Sequence, residues 1–176
     1  MRRNRFIPLS ALILLAVGPN AATQTKWQIY TAPDKKFSVE VPSKPNYQRR
    51  ATIGRVGPLT PIEGVTVVDS YDLRVSEPNT SFTINVYSVI DQDPFQRFEK
   101  IRAASVPNPN FTKDEAVEIN GLHGREYVYK KGKAASRFLI IFAEHLIYTV
   151  TFYTESDKGV ERGAVNKVFE SFKPTP

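Results

Sequence analysis

The sequence predicts an α/β domain of the α+β type: a mostly antiparallel central sheet with helices on both faces, three layers in the order α/β/α. Three observations predict it. Residues 137–153 read RFLIIFA-EH-LIYTVTFY, two apolar runs broken only by Glu144-His145. Runs this short, apolar on successive residues, are strands covered on both sides. Two stretches with helical spacing are separated by strands, so each can supply a covering layer. No repeat or second composition regime divides the 176 residues, a length that suits one domain.

The N-terminus reads as an address. Met1–Arg5 is basic, Phe6–Val17 is apolar apart from Pro8 and Ser10, and Gly18–Thr23 is small and polar. That order is a secretory signal, assigned to residues 1–22, with cleavage after Ala22 or Thr23. The apolar run falls short of the ~20 residues a span needs. Residues 23–176 then form the domain, long enough to bury about 70% of its unfolded surface.

Along that domain, Trp27–Tyr30 is a short strand. Pro33-Asp34 turns the chain, and Phe37, Val39 and Val41 alternate with Ser38 and Glu40 as a half-buried strand ended by Pro42. Residues 42–61 are rich in Pro, Gly and Arg without a period, which predicts a long surface loop. Val65–Leu73 and Thr80–Ile90 are strands. Asp93-Pro94 opens a helix, with Asp93 as N-cap, Pro94 at the first helical position and Phe95, Phe98 and Ile101 at helical spacing. Ala116–Ile119 and Glu126–Lys130 are strands flanking the Asn120-Gly121 turn, and Lys131-Gly132-Lys133 makes the next turn. A last helix runs over Ser156–Phe172, with Val160, Ala164, Val165, Val168, Phe169 and Phe172 on one stripe.

Charge narrows the partners. The formal net charge is +6, but Arg2, Arg3 and Arg5 leave with the signal and reduce it to +3. That balance is too mild to indicate nucleic acid. Cysteine is absent, which excludes disulfides, thiolate metal sites and a cysteine nucleophile.

The order of features resembles the PsbP-like superfamily, with its Mog-type and DcrB-like exported bacterial relatives. It is carried by FSVEVPSKP (37–45), VVDSYDL (67–73), the DPF helix start (93–95), VEINGLHGREY (117–127), the paired run 137–153 and the closing VFESF (168–172). The resemblance covers residues 27–173. It implies the three-layer fold named above and accessory or binding roles without enzymatic activity. The photosynthetic members bind the lumenal face of photosystem II and help retain calcium and chloride. No residue here matches a metal motif of that family, so no cofactor is expected. The loop holding Arg49, Arg50 and Arg55 is one where such proteins vary.

Catalytic constellations are missing from the sequence. His123 and His145 lie in turns without HxH or HExxH spacing. Asp69 and Asp72 fall on opposite strand faces and cannot pair. Gly54-Arg55-Val56-Gly57 lacks the spacing and helix of a phosphate loop. The candidate binding residues are Arg49, Arg50 and Arg55, together with His123 and Arg125 beside the Asn120-Gly121 turn, since turns on rigid scaffolds often bind. A second basic cluster, Lys130, Lys131 and Lys133 with Arg137, is a candidate docking patch for an acidic partner or a phospholipid head group. The expected function is that of an exported, non-enzymatic binding or accessory protein docking on an envelope or membrane-associated partner. The alternatives are a small-ligand or lipid carrier, which needs an apolar cavity between sheet and helix, and a hydrolase, which needs carboxylates meeting in a pocket.

Overall fold

A computed structural model describes residues 27–50, 55–56, 60–61, 65–74, 80–90, 93–104, 108–156, 159 and 163–175. The signal assigned to residues 1–22 lies outside these. Strands β1 (Gln28–Thr31), β2 (Phe37–Val41), β3 (Asn46–Arg50), β4 (Arg55–Val56), β5 (Thr60–Pro61), β6 (Val65–Arg74) and β7 (Thr80–Val89) precede helix α1 (Pro94–Ala104). Strands β8 (Phe111–Ile119), β9 (Leu122–Lys131), β10 (Ala134–Phe142) and β11 (Leu146–Thr154) follow, then helix α2 (Gly163–Ser171) and β12 (Lys173–Pro174).

Among the described residues, seven strands form one antiparallel sheet in the order β3-β6-β7-β11-β10-β9-β8. The apolar hairpin of the sequence therefore sits at its centre. Leu139, Ile141, Tyr148 and Val150 are buried toward one face and Ile140, Phe142 and Ile147 toward the other. Local chemistry builds the hairpins as the sequence implied. Asn120 (φ 54°) and Gly121 (φ 76°) make the β8–β9 turn, the left-handed pair a two-residue hairpin requires. The Asp93 carboxylate accepts the Gln96 amide at 2.9 Å and caps α1.

The three-layer α/β/α sandwich is not what forms. The described chain is β-rich, and its helices are short, 11 residues in α1 and 9 in α2. The first face of the large sheet is covered by a mixed layer. A small sheet, β1-β2-β12, brings Phe37, Val39 and Val41, and α2 brings Val165, Val168 and Phe169. On the second face α1 covers one end, where Phe98 meets Phe142 at 5.0 Å between rings. The rest of that face carries polar groups bonded across strands. The Ser70 hydroxyl donates to the Asn85 side-chain carbonyl at 2.6 Å, the Asn85 amide donates to Thr149 at 3.4 Å, and the Thr83 hydroxyl donates to Asp72 at 3.1 Å. A face satisfied by its own polar ladder does not require a helical layer.

One further difference comes from a partner distant in sequence. Asn46–Arg50, expected in a loop, pairs with β6 as the edge strand β3. An edge strand of polar residues has no apolar alternation to betray it. Helix α2 is described over Gly163–Ser171, Ser156 lies in a bend, and Val160 of the expected stripe lies outside the described residues.

Burial of tyrosine makes the fold sensitive to alkali. Tyr148 is fully buried, its hydroxyl donates to the Thr175 carbonyl at 2.7 Å, and burial pushes the phenol up to about 12. Burial also raises Tyr71 and Tyr127 above their ordinary value. The unfolded chain loses these protons from about pH 10 while the folded chain keeps them. The associated stability is complete below about pH 10 and is lost as pH rises, at about 1.4 kcal/mol per pH unit for each tyrosine. Melting temperature measured from pH 9 to 12 is expected to fall steeply above pH 10, and less steeply in Tyr148→Phe. A flat profile would contradict the burial of these phenols.

Candidate functional site

The candidate residues do not converge. Arg49 stands on β3 and His123 on β9, five strands apart in the sheet order, about 24 Å at the usual strand spacing. Arg49 Nε lies 3.4 Å from Asp69 Oδ1. Asp69 is buried, and it also accepts the Tyr47 hydroxyl at 2.9 Å and faces Lys36 Nζ at 3.7 Å. That hydrogen bond, more than burial, raises the Tyr47 phenol. Arg49 thus helps neutralise a buried carboxylate. Arg50 pairs through its backbone with Val68, and Arg55 lies opposite Pro61; their side chains are outside the described residues.

His123 and Arg125 do share one face of β9, two residues apart, beneath α1. Arg125 is built into an alternating ion network. Its Nε is 2.7 Å from Asp114 Oδ1 and its Nη1 3.6 Å from Glu99 Oε1. Arg102 closes the ring, 2.9 Å from Glu99 and 3.4 Å from Asp114. Only 12% of the Arg125 side chain is exposed. It ties α1 to β8 and β9 and offers little to a ligand. Arg125→Ala is expected to lower stability by about 1 kcal/mol, since Arg102 alone is then left to neutralise two partly buried acids. Denaturant titration measures this, and an unchanged midpoint would show that the network contributes nothing.

His123 is placed differently. It is exposed and stacks on Phe95 with ring centroids 5.2 Å apart and planes at 25°. Phe95 in turn meets Phe142 at 5.5 Å. These rings floor a groove of about 380 Å³ where three segments meet: the start of α1, the β8–β9 turn and the β10–β11 turn. Asp93 and Glu144 stand on its rim. An aromatic floor with a polar rim is how binding surfaces are composed. His145, 3.9 Å from Glu144, is exposed just outside.

A second groove, of about 410 Å³, lies on the opposite sheet face between β8, β9, β10 and α2. Of its lining, sequence reasoning found only Lys130 and Arg137. Arg137 Nε contacts Glu126 at 2.7 Å, its Nη1 donates to Asn166 at 2.5 Å, and its guanidinium lies 4.4 Å from the centre of the Phe169 ring. Lys113 bridges Glu126 at 3.1 Å and Glu115 at 3.2 Å. Two carboxylates meet here, as a hydrolase would need, but cations hold both. The space between sheet and α2 that a carrier would need is filled by Phe82, Phe152, Phe169 and Phe172. Among the described residues no three His, Asp or Glu side chains are grouped to hold a metal ion, and no helix is long and apolar enough to cross a membrane.

No family model matches the sequence, and no curated protein does. Solved structures do match. The chain is similar to cyanobacterial PsbP (CyanoP) of Synechocystis sp. PCC 6803, at 13% identity and a TM-score of 0.52, over 90% of this chain and 98% of that one. A protein of Bacteroides thetaiotaomicron VPI-5482 matches at 12% identity and a TM-score of 0.48, over 84% of this chain and 48% of that one. A Pseudomonas aeruginosa protein of unknown function matches at 12% identity and a TM-score of 0.37, over 76% and 85% of the two chains. These structures do not bear on the Mog-type or DcrB-like kinship. The likeness to CyanoP shows that this chain has a PsbP-like fold.

Proposed function

We propose that the protein is an exported, non-catalytic accessory protein that docks on an envelope or membrane-associated partner. We place it in the PsbP-like superfamily alongside the Mog-type and DcrB-like exported proteins. The observation that carries this reading is the backbone likeness to CyanoP along 90% of this chain, combined with the accessory character of the superfamily that the sequence resembles. The basic, apolar and small-residue order of residues 1–23 supports export. The His123–Phe95 groove is the contact surface, because it places aromatic rings and a histidine at the junction of three segments held by a rigid sheet.

Two measurements test the proposal. Intact mass of the protein recovered after expression in a secreting host is expected to give a chain starting at Thr23 or Gln24. A membrane-bound chain retaining residues 1–22 would overturn export. Cross-linked capture from the native envelope is expected to recover one partner with the wild-type protein and at least tenfold less with His123→Ala combined with Glu144→Arg. Both positions are exposed, so the fold is spared. Recovery of the protein free and monomeric, or equal capture by the variant, would overturn docking through this groove.

A further inference from the structure

The β9–β10 turn carries three lysines in sequence, and Lys130 stands at one end of the second groove. Gly132 takes φ 62° in the turn, the left-handed conformation that lets two strands reverse tightly. Lys131 and Lys133 are exposed, and Lys130 lines the groove. Three other lysines sit beside acids: Lys36 is 3.0 Å from Asp34, Lys113 3.1 Å from Glu126 and Lys167 2.8 Å from Glu40. No carboxylate lies within 4 Å of Lys130, Lys131 or Lys133 among the described residues. Three like charges within four residues repel one another, and nothing described here offsets that repulsion.

We infer that this turn and groove form a docking site for an extended acidic segment of a protein partner. Two features favour a chain segment over a lipid surface. The site is concave, and the outer edge of β8, which borders it through Thr112, Lys113 and Glu115, pairs with no strand among the described residues. Such an edge offers free amide and carbonyl groups to an extended chain. Glu115, 64% exposed on the same edge, repels a continuous anionic surface but leaves room for separate carboxylates aligned on the lysines. Lys131 and His123 close opposite ends of β9, about 26 Å apart at the usual rise per residue. The two grooves are therefore separate surfaces, and this one needs neither export nor the His123 groove to operate.

The purified full chain is titrated into a fluorescein-labelled (Glu-Ser)5 peptide, and anisotropy is read at rising salt. Binding is expected, weakening with salt. K130E/K131E/K133E is expected to weaken it at least tenfold, and the Gln triple variant by less. Two controls carry the same peptide: K44E/K100E/K173E, which changes net charge equally on other elements, and H123A/E144R. Both are expected to bind like wild type. Equal binding by K130E/K131E/K133E with an unchanged melting temperature would overturn the inference. So would equal loss in K44E/K100E/K173E, equal binding of (Lys-Ser)5, or lysine-dependent binding only to 3:1 phosphatidylcholine:phosphatidylglycerol vesicles. None of these outcomes touches the His123 groove, so the two readings fail separately.

Discussion

Gly124→Ala is expected to be among the most damaging single-methyl additions the domain can receive. Gly124 is buried on β9 opposite Ile141. A Cβ built there would overlap the Ile140 carbonyl oxygen and lie 2.5 Å from Ile141 Cδ1. The carbonyl belongs to the central strand and cannot swing aside, so β9 itself would have to move from β10. Overpacking of this kind costs about 3 kcal/mol or more, a fall of about 10 °C in melting temperature for a domain of this size. Gly163→Ala is the matching control. Nothing lies within 4 Å of its added methyl at the start of α2, and the substitution is expected to be neutral or to stabilise by about 0.5 kcal/mol. Thermal melts of the two variants check both signs. Similar melting temperatures would refute the close approach of β9 and β10.

Phe152→Ala carries the other large expected effect. Phe152 is 2% exposed and packs on Phe82 with ring centroids 4.7 Å apart. Removing the ring loses its burial and leaves a cavity under the covering layer of β2 and α2, at a cost of about 3–5 kcal/mol. Its chain neighbour Tyr153 points to the other face and is 39% exposed. Tyr153→Ala is expected to change stability by less than about 1 kcal/mol. Urea titration of the pair therefore reads the alternation of β11 directly. Equal losses would mean that both faces at this end are core, against the polar ladder described above.

Much of the architecture was legible because strand alternation and turn chemistry are local. The runs at 137–143 and 146–153 announced the central hairpin, Asn120-Gly121 its neighbouring turn, and Asp93-Pro94 the start of α1. The site was legible only in part. His123 reads as a turn residue in the sequence but stands on β9, just past the turn, and its stacking partner Phe95 lies 28 positions earlier and reads in sequence as plain helix core. Arg125 reads as a candidate binding residue, and its ion network is not visible in the sequence. Its acids, Glu99 and Asp114, come from α1 and β8, and no spacing rule links them to it. Arg49 was placed in a loop, and its link to Asp69 follows only from the pairing of β3 with β6.

Sequence by itself determined which segments alternate, where they turn, which helix is capped and which lysines crowd one turn, because these depend on residues a few positions apart. Tertiary structure decided what covers each sheet face, which arginines are spent on buried acids, why position 124 admits no side chain, and where grooves open. Those outcomes depend on contacts between residues tens of positions apart, which are set when the whole core closes and have no signature in any short stretch of chain.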